Sequence, residues 1–240
     1  MITQVTFTGI DARTDIGRLQ RLRICYPFVE FGLLVAASRQ GKENRFPDLD
    51  ILKDLHGAGL RLSCHVCGSL ARKLINNATR YNRAKDSFVE LDEYLGGRLH
   101  VFQRVQLNVS GMDKYPMEIF LHAPRYIDEI IIQQKPDNLD LYAHTLSNVK
   151  TGILLDASGG EGVETTFAPR WSTVHTGFAG GLKSANVVEK IEPLLRNRIL
   201  ANNRHWIDME SGVRTDDWFD LNKVKEVSRI VSPYVKTKKL

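Results

Sequence analysis

Phe178-Ala179-Gly180-Gly181-Leu182-Lys183-Ser184-Ala185-Asn186-Val187 and, soon after it, Trp206-Ile207-Asp208-Met209-Glu210-Ser211-Gly212-Val213 decide how this 240-residue chain is read. Each begins as a strand-like apolar run and ends in a glycine-bearing turn. Paired glycines after a strand let backbone N–H groups come close to an oxyanion, and a helix N-terminus beyond them favours negative charge. Ser184 reads as the start of that helix. The plainer alternative is a tight turn with an ordinary serine cap. If the two segments stand on the seventh and eighth strands of a barrel, their loops fall where such barrels often hold phosphate, so the pair says more than either alone.

Counting outward from them gives the fold. Strand-like runs recur at Val5–Gly9, Phe28–Ala36, Leu60–Val66, Val101–Val109, Glu129–Gln133, Gly152–Asp156, Ser172–Ala179 and His205–Met209. Amphipathic stretches follow most of them, near Asp15–Cys25, Leu49–His56, Ser69–Tyr81, Pro116–Ala123, Leu139–Ser147, Ser184–Arg196 and Leu221–Val231. Eight strand–helix alternations imply parallel strands joined by crossovers, and this length suits a closed (β/α)8 TIM barrel of the α/β class. The alternative, an open doubly wound sheet, would carry its glycine fingerprint after the first strand, whereas here the glycines come late. No linker divides the chain, so one domain over 1–240 is expected, with Lys42–Asn44 and Asn82–Gly97 as its flexible stretches.

Composition narrows the function. Hydrophobic residues make up 42% and charged residues 25%, which is the balance of a globular protein with one sizeable core. The net charge of +5 would suit an anionic small molecule. The positive charges are spread along the sequence rather than gathered on one element, which disfavours nucleic acid; Lys236, Lys238 and Lys239 read as a solvated tail. Three cysteines without an export signal read as free thiols in a reducing cytoplasm. No apolar run approaches the roughly 20 residues that span a bilayer. No cofactor is expected, and a homodimer is left open.

Chemistry-bearing residues cluster at strand ends. Gly152–Asp156 ends in a carboxylate and runs into Gly159-Gly160-Glu161-Gly162. At a barrel mouth Asp156 could act as a general acid or base; otherwise it caps a turn. Cys64-His65-Val66-Cys67-Gly68 invites a zinc reading, but residues three apart on a strand face opposite ways and there is no second cysteine pair, so no metal is expected. His65 and Cys67 do share a face, as a pair at the mouth or as packed core. Arg39 and Arg45 follow the second strand and Glu30 lies within it; a guanidinium there could grip a substrate carboxylate. Trp171, Trp206 and Trp218 read as packing residues.

Taken together these segments resemble the phosphoribosylanthranilate isomerase family over nearly the whole chain, with an enlarged region between the third and fourth strands. Val105-Gln106-Leu107, Leu155-Asp156 with its glycine loop, Ala179-Gly180-Gly181-Leu182 with Asn186-Val187, and Ile207–Val213 carry the resemblance. It implies an Amadori rearrangement of a phosphorylated aminoaldose, a step of tryptophan biosynthesis. Asp156 would be the acid that opens the furanose. Arg45 would hold the anthranilate carboxylate, Asp208 would contact substrate, and Gly180, Gly181, Ser211 and Gly212 would hold phosphate. Two positions depart from the family. Thr8 stands where a first-strand cysteine serves as base, and a hydroxyl is too weak a base to replace a thiolate unaided. Asn108 stands where the fourth strand usually has histidine. The pairing of Val29-Glu30-Phe31-Gly32 with His65-Val66-Cys67-Gly68 resembles a divergent isomerase-like branch, in which Glu30, Arg45, His65 and Cys67 would form the reacting end. His65, helped by Cys67, is then the expected displaced base. A non-catalytic binder of a phosphorylated metabolite is the alternative.

Overall fold

A computed structural model describes residues 2–81, 84–109, 123–134, 151–156, 175–196 and 204–236. The expected helices near Pro116–Ala123 and Leu139–Ser147, the loop Gly159–Gly162 and Trp171 lie wholly or almost wholly outside these residues. Eight parallel strands close into one barrel in sequence order: β1 (Ile2–Thr8), β2 (Val29–Val35), β3 (Leu62–Cys67), β4 (Arg104–Asn108), β5 (Glu129–Gln134), β6 (Thr151–Asp156), β7 (His175–Ala179) and β8 (His205–Met209). The described helices are α1 (Ile16–Cys25), α2 (Ile51–Leu55), α3 (Gly68–Tyr81), α4 (Ala84–Tyr94), α5 (Val187–Arg196) and α6 (Leu221–Val231). The protein is a (β/α)8 barrel. None of its described helices is long and apolar enough to cross a membrane.

The strand pattern sets two chemical layers. Outward residues such as Val5, Phe7, Phe31, Leu33, Cys64, Val66, Val105, Leu107, Ile153 and Ile207 are buried against the helices in one continuous apolar cluster. Fully burying such a side chain is worth about 1.5–3 kcal/mol. The alternate residues face the barrel axis, and many are polar: Thr6, Glu30, His65, Arg104, Gln106 and Asp208 are all at most 6% exposed. At the amino-terminal end Arg104 bonds Glu30 and Glu129 at 2.8 Å each, Thr6 donates to Glu30 at 3.0 Å, and His175 meets Glu129 at 2.7 Å. Trp206 fills the axis beside this network, under the Arg104 guanidinium 4.3 Å away. It lies where a Cβ on Gly177 would overlap its ring, so glycine is required there for packing.

Local signals explain the helix ends. Asp15 caps α1 by accepting from the Arg18 amide, and Asp220 caps α6 by accepting from Asn222 and Lys223. Gly68, with φ +66°, turns the chain from β3 straight into α3 without a loop. Two expectations are corrected. The segment read as flexible holds α4, which buries Phe88, Leu91 and, just beyond its end, Leu95 at helical spacing. Ser184 does not begin the helix after β7; α5 starts at Val187, after Asn186.

Candidate active site

The carboxyl-terminal rim encloses a cavity of about 290 Å³. Its lining includes Thr8 from β1, Arg39, Arg45 and Phe46 from the loop after β2, His65 and Cys67 from β3, and Gln106 and Asn108 from β4. Gln133 of β5, Asp156 of β6, Gly180 and Gly181 after β7, and Asp208, Glu210, Ser211 and Gly212 of β8 and its loop complete the wall. All the site residues singled out from sequence therefore meet here, with one exception. Glu30 is fully buried at the amino-terminal end of the barrel, bonded to Arg104, Thr6 and Arg61. It shares the inward face but sits too deep to reach a ligand at the mouth, and its charge serves the internal network.

The two glycine loops converge. A Cβ on Gly212 would overlap the carbonyl oxygen of Leu182, so the loops after β7 and β8 touch backbone to backbone only because residue 212 has no side chain. Gly180 and Gly181 have φ of 117° and 61°, a region that favours glycine. Asn186 fixes the first loop: its side-chain oxygen accepts from the Lys183 amide at 2.9 Å and its amide donates to the Gly181 carbonyl at 3.0 Å. Gly181, Leu182, Ser211 and Gly212 thus form one continuous stretch of the cavity wall.

Across the cavity the polar residues form a chain of contacts. Thr8 donates its hydroxyl to Asp208 Oδ1 at 2.7 Å, and Asp208 Oδ2 lies 3.8 Å from His65 Nδ1. Gln106 Nε2 lies 3.1 Å from His65 Nδ1 and donates to Asn108 at 2.9 Å; Asn108 donates to the Cys67 sulfur at 3.3 Å. Gly32 makes room for this cluster, since a Cβ there would lie 2.6 Å from Thr8 Oγ1 and 3.0 Å from His65 Nε2. Asp156 accepts from Gln133 at 2.8 Å.

Burial sorts these groups as proton carriers. It pushes the Asp208 carboxyl up to about 7, against the pull of the Thr8 hydrogen bond and with help from Glu210 and Glu30. The same burial, with Arg104 nearby, lowers His65 to about 3, so the ring stays neutral and is a poor proton acceptor. Burial pushes the Cys67 thiol up to about 12, far from a thiolate. His65 and Cys67, the expected displaced base, both face the mouth, where burial opposes the charged form of each. Among the described residues no group of His, Cys, Asp and Glu side chains is disposed to hold a metal ion.

Arg45 is occupied. Its guanidinium meets Glu210 at 3.0 Å and Asp217 at 2.6 Å, tying the loop after β2 to the chain after β8. Arg214 continues this strut by bonding the Gly9 carbonyl at 2.7 Å and Asp11 at 3.3 Å. Sequence reading gave no role of their own to Gln106 and Gly32, which lie within quoted motifs, or to Gln133, Arg72 and Arg214; the Arg214–Gly9 bond of the strut joins residues 205 positions apart.

A closed parallel barrel with a polar cavity at the carboxyl ends of its strands has the layout in which (β/α)8 enzymes hold their active sites. Within that class the chain belongs to the N-(5'-phosphoribosyl)anthranilate (PRA) isomerase family, whose model matches residues 103–229, more than half of its length. Among solved structures it is similar to phosphoribosyl anthranilate isomerase from Thermus thermophilus, at 14% identity and a TM-score of 0.59 over 97% of this chain and 100% of the other. It is also similar to the Pyrococcus furiosus enzyme, at 13% identity and 0.59 over 96% and 99%, and to that of Thermococcus kodakaraensis, at 15% and 0.55 over 95% and 98%. At these identities the likeness speaks for the fold. No curated protein matches the sequence. The family and its neighbours make this an isomerase-like barrel. The matched span opens just before β4 and ends within α6, whereas Thr8, Arg45, His65 and Cys67 precede it.

Proposed function

We propose that the protein is an acid–base isomerase acting on a phosphorylated sugar derivative in the cytoplasm, and that its closest chemistry is the Amadori rearrangement of phosphoribosylanthranilate in tryptophan biosynthesis. The observation that carries this reading is the Thr8–Asp208 hydrogen bond in a cavity that also holds Asp156. The position assigned by family resemblance to a cysteine base is here coupled to a carboxyl tuned to about 7. A base with a pKa near the working pH combines a populated charged form with useful proton affinity.

In this scheme the substrate phosphate rests against Gly180, Gly181, Ser211 and Gly212. Asp156 donates a proton to the furanose ring oxygen as the C1–O bond breaks, leaving an iminium at C1. Asp208 removes the C2 proton, and that electron pair neutralises the iminium to give an enol-amine, which tautomerises to the 1-amino-2-ketose. Thr8 orients Asp208, and His65 with Gln106 holds the dry wall beside it. The test follows the fluorescence of phosphoribosylanthranilate with the intact protein. Its disappearance is expected, and Asp156→Asn should slow it at least 100-fold. Absence of turnover would remove the narrow substrate.

A second reading, a binder of a phosphorylated metabolite without catalysis, is favoured by one observation: His65 and Cys67 are buried, which opposes the charged form of each. In that case Asp208→Asn leaves ligand affinity unchanged and no reaction is lost.

A further inference from the structure

Four buried polar atoms without a protein partner fall together on the inward faces of β3 and β4: Ser63 Oγ, His65 Nε2, Arg104 Nη2 and Gln106 Oε1. Their residues are neighbours twice over. Ser63 pairs with Arg104 and His65 with Gln106 in the parallel register, and along each strand one residue separates the two, so these side chains share one patch of the barrel interior. None of these residues is more than 2% exposed. Buried polar groups are nearly always hydrogen-bonded, and such a cluster calls for a common partner. Space for one comes from the row below His65, where Gly32, Ser63 and Arg104 lie side by side in register. Barrel interiors are mostly filled by bulky branched side chains, and two of these three are small. Arg104 commits Nη1 to Glu30 and Nε to Glu129, which leaves Nη2 unspent. A Cβ on Gly32 would lie 3.0 Å from His65 Nε2, so that edge of the ring is turned toward the same row.

Donors and acceptors in this patch are set from one end of a chain of bonds. The His65 carbonyl can only accept, so the Cys67 thiol donates to it across 3.5 Å. The Cys67 sulfur accepts from the Asn108 amide at 3.3 Å, and Asn108 Oδ1 accepts from Gln106 Nε2 at 2.9 Å. The second N–H of Gln106 is then directed at His65 Nδ1, 3.1 Å away. Nδ1 is the accepting nitrogen. Burial keeps the ring neutral, so its one proton sits on Nε2. His65 Nε2 and Arg104 Nη2 are therefore donors, Gln106 Oε1 is an acceptor, and the Ser63 hydroxyl serves as either. A single water, which accepts two hydrogen bonds and donates two, matches that set.

We infer that the barrel interior beneath His65 is a binding site for one ordered water, which accepts from His65 Nε2–H and Arg104 Nη2–H and donates to Gln106 Oε1 and Ser63 Oγ. The water lies behind the wall that His65 and Gln106 present to the cavity. It joins the charged network of Glu30, Arg104 and Glu129 at the amino-terminal end to the chain of His65, Gln106, Asn108 and Cys67 at the mouth. It also holds His65 in one tautomer. The ring turns a lone pair, not a proton, toward Asp208 Oδ2, 3.8 Å away. A ring held that way gives no hydrogen bond to the ionised Asp208 carboxylate, to which Thr8 donates. The site stands whatever ligand the mouth takes.

The experiment isotope-labels the histidine ring nitrogens of the intact protein and reads them by NMR at neutral pH, alongside a crystal structure that places ordered waters. The His65 resonances are assigned by their loss in His65→Gln. Nε2 should carry the ring proton, and that proton should show a cross-relaxation peak to a long-lived water. The crystal should show one water within about 3.2 Å of at least three of the four atoms. Ser63→Ala removes one partner and leaves three, so the water and its peak should remain. Ser63→Val puts a methyl group into the site and should expel the water, with loss of the peak. The measurements on the wild type and Ser63→Ala decide the matter even where Ser63→Val fails to fold. A dry site in the crystal, or a ring proton on Nδ1, overturns the inference. A peak that persists in a folded Ser63→Val protein places the water elsewhere and overturns its assignment to these residues.

Discussion

The two sides of the barrel mouth have been treated differently. On the β7–β8 side the backbone makes the site: two loops touch through Gly212, and Asn186 pins the first of them. This side lies inside the span that the family model matches. On the β1–β3 side side chains make the site: Thr8 bonds Asp208, Arg45 is drawn into a strut, and His65 and Cys67 face the cavity as buried groups. A backbone cradle of the kind proposed here would recognise a phosphate whatever is attached to it. In the proposed scheme the backbone of the β7–β8 loops would hold the phosphate, while side chains from several strands, Asp156 of β6 and Asp208 of β8 among them, would carry the reaction.

Substitutions that act on one side only would sharpen or break that division. Gly212→Ala should have the largest effect, because its Cβ has nowhere to go but the Leu182 carbonyl. Phosphate-bearing ligands should bind at least 100-fold more weakly by calorimetry, and overpacking should cost roughly 1–3 kcal/mol of stability in urea. Gly32→Ala should come next. It crowds Thr8 and His65, so turnover should fall tens-fold or more while affinity for ribulose 5-phosphate holds. Loss of that affinity as well would show the two sides to be one unit.

Asp208→Asn should abolish turnover and, at the same time, stabilise the fold above neutral pH. A carboxyl raised to about 7 in the folded state and near 3.9 unfolded contributes stability that is full below pH 4 and is lost as pH rises to 7. At pH 8 the variant should gain on the order of 1–3 kcal/mol over the wild type, and at pH 4 nothing, by urea denaturation. Thr8→Val removes the hydroxyl that favours the ionised carboxylate, so the Asp208 midpoint should climb by about one unit in an NMR titration. Arg45→Gln should have the smallest effect. Its partners are one-third to nearly one-half exposed, so screening limits the loss to about 1 kcal/mol. The turn at Asp216 and Asp217, both with positive φ, should become more open to protease.

Much of the fold was legible because strand parity is simple. Cys64 faces the helices, and His65 and Cys67 behave as their alternation requires: the histidine and the second thiol both reach the mouth. Parity does not report depth, however. Glu30, Gly32 and Leu34 share a face, yet only the last of the three lines the cavity, and Glu30 lies at the opposite end of the barrel. The helix at Ala84–Tyr94 was hidden by its charged residues, although Phe88, Leu91 and Leu95 carried the spacing. The Arg45 strut and the Thr8–Asp208 bond join residues 165 and 200 positions apart, and only chain closure brings them together. The tuning of Asp208 is likewise a property of burial that its strand-end position alone could not reveal.

One measurement bears most directly on Asp208 as the proton acceptor: kcat/KM for phosphoribosylanthranilate across pH 5–9, in the wild type and in Asp208→Asn. An ascending limb with a midpoint near 7, lost together with turnover in the variant, is the predicted result. A flat profile, or an Asp208→Asn protein that turns over at the wild-type rate, would contradict it.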